Sequence, residues 1–361
     1  MSKPPTTFKG RGALSSPEGR FESRRLEAFD DGWTPPAGDD AESGPPTTVT
    51  PEPARSIISR NQSPDIPFAQ SINPYRGCEH GCIYCYARPS HAYLNLSPGL
   101  DFETKLFYKA QAAELLDQEL RKPGYRCAPI TLGANTDPYQ PVERKLRVTR
   151  SLLEVMQRFG QPVSIITKST LITRDLDILA GMAREGLVSV MVSVTTLDDD
   201  LKRRLEPRTP GGMTRLKTVR ALAAAGVPVG VLVAPIIPIV NDSELERILE
   251  HAVEAGARGA GYVLIRLPYE VKDMFREWLQ THMPLRAAHV MSVIRQSRGG
   301  KDYDSRFGVR MRGQGEFAEL IAQRFQLACK RTGLIQGRRL TLSTGRFRIP
   351  PAAGQIGFEF G

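Results

Sequence analysis

Long apolar runs are missing from this 361-residue chain. No stretch approaches the roughly 18 to 20 consecutive apolar residues needed to cross a bilayer. The opening MSKPPTTFKGRGALSSPEGR also lacks the apolar core of a secretory signal. The expectation is therefore a cytoplasmic protein without a membrane partner. A disulfide framework is missing as well. The chain has five cysteines, an odd number, and Cys78, Cys82 and Cys85 crowd into eight residues. In a reducing compartment that pattern points to metal ligation. Acidic residues are scarce in one region: residues 295–350 hold 13 Lys/Arg, 11 of them Arg, against four Asp/Glu. This net of +9 accounts for nearly all of the chain's formal +10. Aliphatic residues are sparse at the other end, where nine Pro and six Gly make up a quarter of residues 1–60. Such a composition cannot bury enough apolar surface to order itself, and a mostly disordered arm is expected. One island with more varied chemistry, residues 10–31, is a candidate to dock on the folded body.

What is present is the material of a large core, with 40% hydrophobic residues and a length that allows one large α/β domain or two smaller ones. Short Val/Ile/Leu-rich runs fall at residues 68–73, 129–134, 162–168, 187–196, 227–236 and 259–267. Nearly continuous apolar runs of this length suit parallel strands covered on both faces. Amphipathic patterns at 111–122, 149–160, 175–185, 214–226 and 243–257 lie between them. The last opens with Ser243 and Glu246 at capping-box spacing, and Gly226 is placed to end the helix before it. Six βα units can curl into a partial barrel or lie as an open doubly wound sheet. In either case ligands gather at the C-terminal ends of the strands. The segments that follow the strands are the chemically unusual ones: the cysteine loop, GANTDPYQPVE, TKST, VTTLDDD, PIIPIVND and RLPYE.

The loop NPYRGCEHGCIYCYARP spaces its cysteines as CxxxCxxC. Three thiolates on one loop can hold three irons of a 4Fe-4S cubane and leave the fourth open. A structural zinc site instead needs a fourth ligand, for which His80 and His91 are the nearby candidates. Neither Cys127 nor Cys329 belongs to a second ligand pair.

With Tyr84 just before the last cysteine, on the loop after the first strand of six βα units, the sequence resembles the radical S-adenosylmethionine superfamily. RGCEHGCIYCYARP and GANTDPYQPVE are similar to the branch that includes spore photoproduct lyase. The resemblance implies a partial (βα)6 TIM-like barrel, a 4Fe-4S cluster on Cys78, Cys82 and Cys85, and S-adenosyl-L-methionine bound at the open iron. It further implies Tyr84 beside the adenine, Ser193 and Thr195 near the ribose or carboxylate, and Glu206 and Arg208 on the methionine carboxylate or ribose. The second-strand loop departs from the family's Gly-Gly-Glu-like segment, so Asn135 and Asp137 are cofactor candidates without a fixed role. Photoproduct lyases carry a cysteine hydrogen donor in that loop, where this chain has Gly133, Ala134 and Asn135.

The expected organisation is an arm (1–60), a radical SAM core (61–290) and a basic α/β C-terminal extension (291–361). The expected electron donor is of flavodoxin or ferredoxin type. DNA or RNA is a candidate partner through residues 295–350, whose Arg residues are interleaved with aromatics; a basic arm docked on an acidic face of the same protein is the other reading. The alternative to an enzyme is a zinc-stapled nucleic-acid-binding module. Arg266, after the sixth strand, faces either substrate or solvent.

Overall fold

The structure is a computed structural model that describes residues 10–21, 46–336 and 342–351. Six parallel strands form its centre: β1 (Gln70–Ile72), β2 (Ile130–Leu132), β3 (Val163–Thr167), β4 (Val188–Ser193), β5 (Val229–Ile236) and β6 (Gly259–Leu264). They neighbour one another in chain order. This order decides between the two architectures left open by the sequence. A doubly wound sheet reverses direction at a switch point and carries helices on both faces. Here every right-handed crossover steps the same way, so the helices share one face and the other curves inward. Among the described residues the barrel is not closed. An antiparallel strand, Ser59–Arg60, borders β1, and a parallel one, β7 (Ile335–Gln336), borders β6.

Crossover helices α1 (Ala112–Leu120), α2 (Val148–Phe159), α3 (Leu176–Arg184), α4 (Gly212–Ala224) and α5 (Leu245–Glu254) fall on the expected patterns. Alternation along β4 shows how the layers form: Val188, Val190 and Val192 join the main core with the helices, leaving Ser189, Met191 and Ser193 on the inner face. Gly226, with positive φ, follows the last turn of α4 as expected. The capping box expected at Ser243 does not form. A 3-10 turn, Asp242–Glu244, precedes α5, and Glu246 is drawn into an ion pair with Arg324 at 2.7 Å.

Beyond β6 the chain forms α6 (Val271–His282) and α7 (Pro284–Gln296), which runs into the C-terminal extension, where α8 (Glu316–Thr332) precedes β7. A second core around Trp278, Phe275 and Ile294 joins α6 and α7 to Ile83 and Tyr84 of the cysteine loop. Several of the extension's arginines are committed within the molecule: Arg310 to Asp65, Arg324 to Glu246 and Arg331 to Glu250. Arg298 is buried on the carbonyls of Leu264, Ile265 and Val309. From the N-terminal arm, Thr48–Pro51 pairs with Lys105–Tyr108, and residues 10–21 lie against the body, with Ala13 fully buried. Residues 1–9 and 22–45 of the arm, which include 22–31 of the island, lie outside the described residues, as do Arg338 and Arg339. No described helix is long and apolar enough to cross a membrane.

Candidate active site at the mouth of the partial barrel

The chain leaves β1 through the short strand Tyr75–Arg76, and this delivers the cysteine loop to the C-terminal end of the sheet. Gln140, fully buried, holds the loop's entrance from the second-strand loop. Its Oε1 accepts from the Glu79 amide at 2.9 Å and its Nε2 donates to the Gly77 carbonyl at 3.1 Å. The loop's far side is tied down by Ile83 N–H, which donates to the Leu205 carbonyl at 3.1 Å.

Cys78, Cys82 and Cys85 open onto a cavity of about 430 Å³ walled by the C-terminal ends of all six central strands. Tyr84, Asn135, Asp137 and Ser193 line the same cavity, as do His80, Tyr86, Lys168 and Arg266. Ile166, Leu232, Ala234, Pro235 and Val263 supply an apolar wall. Thr195, Glu206 and Arg208, expected against the cofactor, stand behind this wall. Glu206 is fully buried, paired to Arg215 and hydrogen-bonded by Tyr84 Oη and, at 2.8 Å, by Thr195 Oγ1. Arg215 also donates to the Ser193 carbonyl at 2.9 Å. The group therefore orients Tyr84 and the end of β4 from behind. Arg208 is turned to Glu79, 3.3 Å away.

Asp137 has little acceptor capacity left for a ligand. Its Oδ1 accepts from Thr167 Oγ1 at 2.7 Å and from the Tyr139 amide at 2.9 Å, while Oδ2 accepts from the Lys168 amide at 2.7 Å and faces His80 Nδ1 at 3.4 Å. Burial works against its charge, but His80 and these donors hold it at about 2. The same balance acts on Glu206: burial opposes ionisation, and Arg215 and Lys168 bring it down to about 2. Lys168 stands 4.0 Å from Glu206; burial works against its charge, but Glu206 together with Cys82 and Asp137 raises the lysine, so an ammonium borders the cavity. Burial pushes Cys82 up to about 12 and Cys78 well above an ordinary thiol, so without a bound metal to displace the proton both are held as thiols.

Lys168 and Arg215 escaped the sequence reading of individual residues. Lys168 sits in TKST, already marked as a strand-end segment. Arg215 carried a subtler signal, a charge on the apolar face that α4 forms with Val219 and Leu222.

These side chains favour an extended cluster over a lone zinc. His80 is engaged by Asp137, and His91 bonds the Lys105 carbonyl at 3.0 Å and packs on Phe102 outside the cavity. Among the described residues no three His, Cys, Asp or Glu side chains converge on a single-ion site. None of the five cysteines is in a disulfide. Three thiols on one cavity, Cys78 and Cys82 buried and Cys85 half-buried, suit a cluster that takes three protein ligands. Cys127 lies before β2, at the opposite end of the barrel, against Gln161.

Comparison with known proteins agrees with this geometry. The Radical SAM superfamily model matches residues 72–252, half of the chain, and the protein belongs to that superfamily. An uncharacterised protein of Mycobacterium tuberculosis is 39% identical over 221 residues, 61% of this chain and 65% of the relative. Another, from Methanocaldococcus jannaschii, is 27% identical over 173 residues, 48% of this chain and 62% of the relative. The matches thus span less than two thirds of these relatives' length. Among solved structures, a mutant of spore photoproduct lyase superposes with a TM-score of 0.56 at 15% identity, covering 80% of this chain and 81% of that one. The lyase complexed with dinucleoside spore photoproduct gives 0.53 at 14% identity, with 80% and 81% covered. At such identities the likeness establishes the shared fold.

Proposed function

We propose that the protein is a radical SAM enzyme that holds a 4Fe-4S cluster on Cys78, Cys82 and Cys85 and binds S-adenosylmethionine in the adjoining cavity. The observation that carries this reading is the convergence of three thiols with the C-terminal ends of all six strands in a chain of that superfamily. Held by Cys78, Cys82 and Cys85, such a cluster would supply the one-electron reduction by which S-adenosylmethionine yields methionine and the 5'-deoxyadenosyl group as the hydrogen acceptor for a substrate. The chain's own work is positioning and exclusion of water. Tyr84, pinned by Glu206 and Thr195, offers a fixed ring to the adenine. Lys168 supplies the cation that a carboxylate on this cofactor requires, and Asn135 and Ser193 supply polar contacts on the same wall. The apolar residues of β3, β5 and β6 keep water from the reacting carbon. A flavodoxin- or ferredoxin-type protein is the electron donor in this proposal.

The substrate in this reading is a polyanion, nucleic acid being its class. Arg266 stands at the cavity with its Nε buried and unpartnered. Its guanidinium lies 4.7 Å from the centre of the Tyr86 ring, and its terminal nitrogens reach Tyr303 Oη at 3.4 Å and Met311 Sδ at 3.6 Å. A cation held this way retains capacity for a phosphate. Tyr303 and Met311 belong to the basic segment, which therefore borders the cavity.

Anaerobic reconstitution with iron and sulfide, then reduction in the presence of S-adenosylmethionine, tests the reading. The expected product is 5'-deoxyadenosine, abolished in Cys82→Ala. No product from reconstituted protein under any reductant would refute the assignment.

A further inference from the structure

The segment GRGALSSP, which the proposed chemistry leaves without a role, runs behind the cysteine loop. Gly12 N–H donates to Glu103 Oε2 at 3.0 Å and Ala13 N–H to Glu103 Oε1 at 2.8 Å. Glu103 in turn pairs with Arg88 at 2.5 Å, both side chains fully buried. Arg88 grips the loop itself: its Nε donates to the Cys82 carbonyl at 2.9 Å and its Nη2 to the Gly81 carbonyl at 3.1 Å. Two backbone N–H groups of the N-terminal segment thus complete the carboxylate that steadies the arginine on the loop.

Contact between the two backbones is also direct. A Cβ added at Gly12 would sit 1.8 Å from the Gly81 carbonyl oxygen, so the segment packs on the loop only because position 12 is glycine. Ala13, fully buried, shares an apolar cluster with Cys82, Ile83 and Tyr84. Further along, Ser15 Oγ donates to Glu277 at 2.6 Å, and the Pro17 carbonyl accepts from Ser97 Oγ at 2.6 Å. The segment is therefore anchored on both sides of the loop.

We propose that residues 11–17 form a clamp that positions Cys78–Cys85 for ligation and seals the rear of the cluster. This rests on the cluster assignment above. Gly12 is a positioning residue, and its effect is read in cluster retention as well as in turnover.

The test compares full-length wild type, Gly12→Ala and Gly12→Val after anaerobic reconstitution, following iron release to a chelator and the electron paramagnetic resonance line shape of the reduced protein. The expected result is iron loss about tenfold faster in Gly12→Val, equivalent to about 1.4 kcal/mol, an intermediate rate in Gly12→Ala, and far-ultraviolet circular dichroism matching wild type. Wild-type release rates in both variants would overturn the clamp. Should Gly12→Val fail to fold, Gly12→Ala and Ser15→Ala carry the comparison, and unchanged rates in both overturn it equally. If wild type itself takes up no iron, the cluster assignment fails separately. The clamp is then read in the apoprotein by hydrogen exchange at the Ile83 amide: faster exchange in Gly12→Ala supports it, and unchanged exchange refutes it.

Discussion

Behind the cysteine loop, the Arg88 guanidinium donates to five acceptors: the carbonyls of Gly81, Cys82, Pro98 and Gly99, and Glu103. Five is the full complement of N–H groups that an arginine has. In front of the same loop, Arg266 keeps a buried Nε without an acceptor, and three thiols face an open cavity. Two arginines about one loop are thus used in opposite ways. The one at the back fixes the backbone, while the one at the front retains capacity for a ligand. The difference separates residues that build the site from residues that use it, and substitutions on the two sides should have different signatures.

The largest stability loss is expected at the back. Glu103→Ala leaves Arg88 buried without its counter-charge, a change that costs about 3–5 kcal/mol and is measurable by urea unfolding of the apoprotein. A loss under about 1 kcal/mol would mean that the pair is not structurally required. Gln140→Ala, which strands the Glu79 amide and the Gly77 carbonyl, should cost about 1–3 kcal/mol in the same assay.

Acid titration probes the group behind Tyr84. Glu206 is held at about 2, with burial opposed by Arg215 and Lys168. A carboxylate lowered in the folded state adds stability that is fully present above its unfolded value and is lost as pH falls through its folded one. The stability gap between wild type and Glu206→Gln should therefore be constant above about pH 5 and narrow toward pH 2. A gap that stays constant through that window contradicts the assignment. The smallest stability effect is expected at the front. Arg266→Ala should change folding by no more than about 0.5 kcal/mol, yet weaken oligonucleotide binding and lower its salt slope by about one. Unchanged binding would remove Arg266 from the substrate reading.

The sequence made the scaffold legible because parallel strands buried on both faces appear as aliphatic runs. LVSVMVSVTT contains β4, and GAGYVLIRL begins with β6. Which end of the barrel carries chemistry was also legible, since polar and sulfur residues collect after the runs. Side-chain direction was not. Thr195 lies two residues beyond Ser193, yet it turns to Glu206 and the Ala234 carbonyl while Ser193 reaches the cavity. The capping-box pattern at Ser243 failed because Arg324, distant in sequence, captures Glu246. The arginines of residues 295–350 could be read as a nucleic-acid surface or as an arm docked on the same protein; Arg310, Arg324 and Arg331 pair with Asp65, Glu246 and Glu250, on distant segments that only the fold brings near. The Gly12 contact with Gly81 was hidden for the same reason, being a long-range backbone approach inside a Pro/Gly-rich arm.

The central claim is that Cys78, Cys82 and Cys85 are the three protein ligands of a four-iron cluster. Iron, sulfide and zinc analysis of protein purified and reconstituted without oxygen tests it most directly. The account predicts about four irons and four sulfides per chain, lost on replacing any of the three cysteines; a single zinc without sulfide would contradict it.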